Sequence, residues 1–304
     1  MMNIGLIDVD GHNFPNLALM KLSAWHKSQG DIVSWYSGIE HYDKVYMSKV
    51  FTFTPDDGRV MQADEVIRGG TGYKLFDQQL PYNIEHICPD YTLYPMYSDA
   101  YGFLTRGCVN KCSFCIVPKK EGYIQKNADI SEFISDRKSA ILMDNNVLSC
   151  NWGLQQIEKI ISMRIKVDFN QGLDCRIIAK DKNIAKLLSK VKWIRHIRMA
   201  YDHSSITEEV ETAIAYLKEA GVPSHRLFFY LLVREGEIED AESRALRLDY
   251  LGCTPFAMPY RDLNSNIPVS NEQKHFAWWC NQRQAFKSCN FQDFKVKKIR
   301  TLGD

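Results

Sequence analysis

Between residues 101 and 260 short apolar runs recur about every 25 to 40 residues: YGFLT, AILMD, KVDFN, HIRMAYD, RLFFYLLV and TPFAMPY. Runs of this length, bounded by polar or turn residues, suit buried strands. Helical patterns lie between most of them. Leu154, Ile157 and Ile161 share a helix face, as do Ile184, Leu187, Leu188 and Val191. Ser205 and Glu208 have capping-box spacing ahead of Val210, Ile214 and Leu217, and Gly221 and Pro223 end that helix. Strands alternating with helices predict a parallel sheet, because a parallel return needs a crossover. Six such units are too few to close an eight-stranded barrel. The expectation is a six-stranded (β/α)6 partial TIM barrel over residues 96–260, with an open sheet as the alternative.

The front of the chain reads as a smaller α/β layer. NIGLIDVD, DIVSWY, DKVYMS and ADEVIRGGTGY have strand character. A helix is expected over residues 17–29, with Pro15 and Asn16 at its start and Gly30 at its stop. Residues 1–95 are therefore expected to form a small flavodoxin-like (Rossmann-like) parallel α/β domain. Three prolines and no clear period mark LPYNIEHICPDYTLYPMYSDAYG as a linker, with the boundary near residue 95. After the last barrel run, residues 261–304 form a helical extension: a polar loop, a helix around 271–287 and the basic tail KVKKIR, which reads as a solvated end.

Charge narrows the partners. Lysine and arginine number 38 against 37 acidic residues, a formal net charge of +1. That balance gives no long-range pull toward nucleic acid or anionic membrane, so a nucleic-acid partner is not indicated. No run of apolar residues is long enough to span a membrane, and MMNIGLIDVDGHN lacks the basic start and apolar core of a secretory signal. Nine cysteines, an odd number, suit a reducing cytoplasm better than a disulfide framework.

Three of those cysteines stand together in RGCVNKCSFC: Cys108, Cys112 and Cys115. A structural zinc site wants four ligands and a disulfide two. Thiolates are soft ligands that hold iron–sulfur clusters, and three of them leave one iron of a four-iron cluster open to a small molecule. The motif follows the first strand of the series, and the C-terminal ends of barrel strands are where barrel enzymes place their chemistry. A zinc site completed by a distant residue, or a redox pair at Cys112 and Cys115, is the competing reading. Cys88, Cys150, Cys175, Cys253, Cys280 and Cys289 are scattered; core thiols are expected there rather than a second cluster.

GCVNKCSFC resembles the signature of the radical S-adenosylmethionine superfamily, and the six βα units resemble that superfamily's partial barrel. The resemblance covers about half the chain, residues 101 to 260. It implies a [4Fe-4S] cluster on the three cysteines, whose free iron binds S-adenosylmethionine. Reduction, by a donor such as flavodoxin or ferredoxin, then cleaves the cofactor to methionine and a 5′-deoxyadenosyl radical that abstracts hydrogen from a substrate. The outcome could be methyl transfer or a rearrangement. Phe114, just before the last cysteine, is placed by the resemblance beside the adenine. Two alternatives remain: a protein that holds a cluster or zinc only as a scaffold, and an enzyme like the tRNA methylthiotransferases, whose usual RNA-binding module has little room in the residues after the sixth strand.

If the strand ends line one rim, further contacts follow. Asp144 and Asn146 come after the second strand, where relatives place a polar group for the methionine amine. Asn170, Asp174 and Arg176 come after the third, and the guanidinium fork of Arg176 suits the methionine carboxylate. Tyr201, Asp202 and His203 end the fourth strand and Tyr260, Arg261 and Asp262 the sixth, where substrate is expected. The front domain resembles the cobalamin-binding domains of some radical enzymes. Asp10 and His12 fall in that family's Asp-x-His motif, with Pro15 at the position of its glycine. Gly69 and Gly70 match a turn that lets backbone approach the corrin. Bound cobalamin is accordingly one expectation for this domain.

Overall fold

The computed structural model describes residues 1–11, 14–76, 78–262 and 267–294. The chain is mixed α/β with parallel sheets, and it divides into two compact units. The first comprises the described residues of Met1–Lys111 and Cys115–Met143; the second comprises Cys112–Phe114 and the described residues from Asp144 onward.

In the first unit, β1 (Asn3–Asp8), α1 (Leu17–Ser28), β2 (Ile32–Trp35), β3 (Tyr42–Ser48) and β4 (Ala63–Gly69) follow one another. The strands lie in the order β2-β1-β3-β4, all parallel. Helix α1 begins where expected: the Asn16 side chain accepts from the Leu19 amide, and Gly30 beyond its end has φ of 82°. Its Leu19 and Leu22 pack on Ile4 and Leu6 of β1. The return from β2 to β3 takes only residues 36–41 and carries no helix. Aromatic rings cover that face instead: Tyr36 and Tyr42, 5.2 Å apart, pack with Val45 and Met47.

The same unit holds α2 (Tyr82–Glu85), β5 (Ala100–Gly102), β6 (Thr105–Arg106), α3 (Val117–Lys120), β7 (Gln125–Lys126) and β8 (Ser139–Leu142). β5 and β8 pair in parallel, while β6 and β7 form a short antiparallel hairpin. That hairpin gave no signal in the sequence, because two-residue strands have no period to read.

The second unit contains α4 (Asn151–Ser162), β9 (Lys166–Phe169), α5 (Cys175–Lys180), α6 (Lys182–Leu188), β10 (Lys192–Trp193), β11 (Ile197–Ala200), α7 (Thr207–Glu219), β12 (Leu227–Val233), α8 (Ile238–Tyr250), β13 (Thr254–Pro259), α9 (Asn271–Asn281) and α10 (Arg283–Ser288). β9 and β10 pair in parallel, and so do β11, β12 and β13 in that order. The burial of β12 alternates: Leu227, Phe229, Leu231 and Val233 are buried, while Phe228, Tyr230 and Leu232 are half-exposed on the other face. Two local expectations change. The buried side of α4 is Gly153, Gln156, Ile157 and Ile160, leaving Leu154 and Ile161 half-buried. The spacing of Ser205 and Glu208 does not make a capping box: α7 starts at Thr207, and the His203 ring accepts from the Ser205 amide one turn earlier. No helix among the described residues is long and apolar enough to cross a membrane.

Helix α9 belongs to the sheet it follows. Its Asn281 side chain brackets Ala257 of the edge strand, accepting from its amide (2.7 Å) and donating to its carbonyl (3.0 Å). Gln273, buried near the helix start, donates to the carbonyls of Val233 (2.7 Å) and Tyr260 (3.2 Å). Phe276 and Trp279 are fully buried.

Arg244 of α8 is almost completely buried. It donates to the carbonyls of Tyr201 (2.5 Å) and Leu232 (3.0 Å) and to the carboxylate of Asp240 (2.6 Å). One guanidinium thus fixes the C-terminal ends of β11 and β12 to the helix beneath them. Removing one partner of such a buried charged network costs about 3 to 5 kcal/mol. Arg244→Ala is expected to lower the unfolding free energy by that amount in a urea titration, and Arg244→Lys, which cannot span all three acceptors, by a large part of it.

Candidate functional site

The cysteines sit in the loop between β6 and β7. The chain enters at Gly107, whose φ is 80° and where a Cβ would stand 2.4 Å from the Tyr123 carbonyl oxygen, so only glycine fits. The Gly107 amide donates to the Glu121 carboxylate (3.0 Å) and the Cys108 amide to the Gly122 carbonyl (3.2 Å). Glu121 also takes Arg106 (3.3 Å), which continues to Glu85 (3.0 Å) and lies flat on Phe103, 3.5 Å from the ring centre. Lys21 meets the same Glu85 carboxylate at 3.1 Å. Burial pushes the Glu85 carboxyl up, but Arg106 and Lys21 outweigh it and hold the group below its usual range. A chain of alternating charges from α1 to Glu121 therefore fixes the mouth of the cysteine loop.

Within the loop the Asn110 amide donates to Cys108 Sγ at 3.4 Å. Cys108 and Cys112 are half-buried and Cys115 is exposed. Cys112 lies within electrostatic reach of the Arg176 guanidinium. Among the described residues no three His, Cys, Asp or Glu side chains stand close enough to share one metal ion. A four-iron cluster spreads its thiolates over separate irons and asks for wider spacing than one ion does. Three soft sulfur donors on one loop are the donor set such a cluster takes.

In the second unit, polar and aromatic groups gather where β9, β11, β12 and β13 end. Arg234, the first residue after β12, lies 5.1 Å from the centre of the Phe114 ring and 6.0 Å from that of Tyr260. The Tyr260 amide donates to the Val233 carbonyl, which keeps those two strand ends level. Asp202, two residues past β11, is half-buried, and burial raises its carboxyl above the ordinary range although Arg244, Arg176 and Arg234 pull the other way. Arg176 turns its fork to Asp174 (2.8 and 2.9 Å), and Asn146 donates to the same carboxylate (3.2 Å). Phe114, Asn146, Arg176, Asp202 and Tyr260 are thus linked directly or through Asp174 and Arg234.

The other expected residues have other surroundings. Asp144 is buried. Asn170 offers its carbonyl to the Tyr230 hydroxyl at 2.8 Å. Tyr201 is buried with its hydroxyl on Thr207, and His203 is exposed and spent on the Ser205 amide. Arg261 and Asp262 are exposed. In the first unit Asp10 accepts from the Val50 and Phe51 amides and the Thr54 hydroxyl. A Cβ on Gly70 would stand 2.3 Å from the Lys49 carbonyl oxygen, so the closeness this glycine permits serves the chain's own loop; a Cβ on Gly69 would meet nothing within 4 Å. His12 lies outside the described residues. Asp174 is named with Asn170 and Arg176 after the third strand, whereas Arg234 and Arg244 were missed in the sequence. Arg234 had a signal, as the first polar residue after a seven-residue strand; Arg244 had none, since a buried arginine in a helix looks like a surface one.

The chain matches no protein-family model and no curated protein.

A carboxyl raised by burial contributes stability in its neutral form, fully present below the unfolded value near 3.8 and lost as pH rises through the higher folded value. Asp202→Asn removes the ionisation. The variant is expected to be at least as stable as the parent at pH 7, with any advantage fading below pH 4, as read from denaturation midpoints at the two pH values.

Proposed function

We propose that the protein is a radical S-adenosylmethionine enzyme, acting on a substrate held at the strand ends of the second unit. The observation that carries this reading is the spacing of Cys108, Cys112 and Cys115 with Phe114 before the last, at the head of a series of parallel βα units. It is supported by the amide bonded to the Cys108 sulfur and by the cation beside Cys112. The finer fold assignment, a partial barrel behind a flavodoxin-like domain, belongs to the same proposal. The order β2-β1-β3-β4 in the front sheet and the parallel order β11-β12-β13 in the second unit support it.

Cys108, Cys112 and Cys115 would hold a [4Fe-4S] cluster. When bound and reduced, that cluster supplies the electron that splits S-adenosylmethionine into methionine and a 5′-deoxyadenosyl radical. Gly107 and Glu121 fix the loop that carries Cys108, and the Asn110 amide donates a hydrogen bond to that sulfur. Phe114 offers a flat apolar surface to the adenine, and Arg234, stacked on its ring, holds it in place. Arg176 is kept oriented by Asp174, so its remaining edge presents positive charge near Cys112, suited to the methionine carboxylate. Asp202 and Tyr260 face the same rim and offer a proton acceptor and a hydroxyl to substrate. An external one-electron donor of the flavodoxin or ferredoxin kind completes the system.

Protein reconstituted with iron and sulfide without oxygen is expected to show the broad absorbance of a four-iron cluster and to yield 5′-deoxyadenosine and methionine under dithionite. Replacing Cys108, Cys112 or Cys115 by Ala should abolish both signals, and Arg234→Ala should leave iron content intact while lowering 5′-deoxyadenosine formation about tenfold. A triple alanine variant that still takes a full iron complement would sink the cluster assignment. A full cluster that never cleaves S-adenosylmethionine would leave a scaffold protein.

A further inference from the structure

The sheet β11-β12-β13 carries a second array, toward the starts of the strands and away from Arg234 and Tyr260. His196, just before β11, stacks on Phe228 of β12 with ring centres 5.4 Å apart and planes inclined by 28°. Phe228 in turn lies 5.4 Å from Phe256 of β13, inclined by 32°. Tyr230 stands edge-on to Phe228 and to Phe256, at 5.4 and 6.1 Å. Three rings therefore run in a row across three strands. Phe256 ends the row at 37% exposure, and Met258, two residues on along the same face, is 45% exposed.

Positive charge borders the row. Arg198 lies 5.3 Å from the centre of Phe228 and 6.0 Å from that of Tyr230. It is held by both Asp168 oxygens (2.7 and 2.8 Å) and donates to the Tyr230 hydroxyl (3.0 Å). Arg195 and Arg226 are exposed, and both act electrostatically on His196 together with Arg198, with Asp168 the opposing charge. Burial first, and then these arginines, keep His196 below its ordinary range, hence neutral and able to stack as an uncharged ring. Its Nδ1 is buried without a hydrogen-bond partner.

We propose that this face binds single-stranded nucleic acid, with a base stacked on the outer side of Phe256 and the phosphates along Arg195 and Arg226. A row of rings bordered by cations is the arrangement by which strands are held without sequence readout: π-faces for bases and a positive edge for the backbone. A duplex keeps its bases stacked on one another, so Phe256 can meet only an unpaired one. A membrane would ask for aliphatic side chains and an acidic protein segment for charge alone; neither uses an exposed ring that continues a stack. The near-neutral total charge does not oppose this, because the cations need only be local. The inference is independent of the cysteine loop, and its test needs neither iron nor S-adenosylmethionine.

The experiment is fluorescence anisotropy of a fluorescein-labelled single-stranded RNA about ten nucleotides long, mixed with full-length protein as purified. Binding should saturate and weaken steeply with added salt. Phe256→Ala should weaken it at least fivefold or so, and Phe256→Leu, which keeps apolar bulk and removes the ring, should do the same. Phe256→Trp should hold or tighten it. The double variant Arg195→Glu/Arg226→Glu should weaken it and flatten the salt dependence. Thermal melting shows that each variant is folded. The proposal is overturned by absent binding, by undiminished binding in folded Phe256→Leu, or by equal competition from a duplex of the same sequence. Equal competition from polyglutamate would mean a site for any polyanion, and equal competition from adenosine monophosphate a site for a free nucleotide; either also overturns it.

Discussion

The second unit depends on one buried arginine. Parallel strands end side by side, but nothing in their ladder fixes how far each end projects beyond the last hydrogen bond. Arg244 supplies that by binding the backbone of Tyr201 and Leu232 at once while Asp240 balances its charge. The residues that follow these anchors are Asp202 and, one residue beyond Val233, Arg234. Their mutual placement is set by a buried side chain behind them. Gln273 repeats the device on the neighbouring pair, tying the Val233 and Tyr260 carbonyls to the start of α9.

The cysteine loop is held by a different logic. Its anchor is a series of charges, Lys21, Glu85, Arg106 and Glu121, that ends on the Gly107 amide. Each member is partly withdrawn from water and would be costly alone, so the series is stable only when complete. Gly107 then turns the chain where any side chain would strike Tyr123. The loop's entrance is rigid, while Cys115 lies exposed further along.

The parts of this architecture that rest on period were legible in the sequence. The apolar runs from YGFLT to TPFAMPY each hold a strand, and the observed pairs among them are parallel. Helix α7 buries the face its spacing indicated, Val210, Ile214 and Leu217, and α6 buries Ile184 and Leu188 of its expected face while Leu187 stays half-buried. What period cannot show is a polar residue's partner. Ser205 and Glu208 had the spacing of a cap, yet the histidine before them took the amide. Arg176 looked available for a ligand and is turned toward Asp174, two residues away. Gly70 had the look of a cofactor turn and makes room for the Lys49 carbonyl. In each case a local hydrogen bond or backbone contact decided the matter at short range, where composition carries no signal.

The hold of α9 on the edge strand bears on how the chain is made. Asn281 mimics a neighbouring strand at Ala257, and the buried Phe276 and Trp279 complete the core beside it. Until that helix emerges from the ribosome, β13 presents an unpaired edge and an open apolar side, the surface that recruits other nascent chains. The helix that covers the edge is thus made after the strands it covers, and a chain stalled before it would be a sticky intermediate.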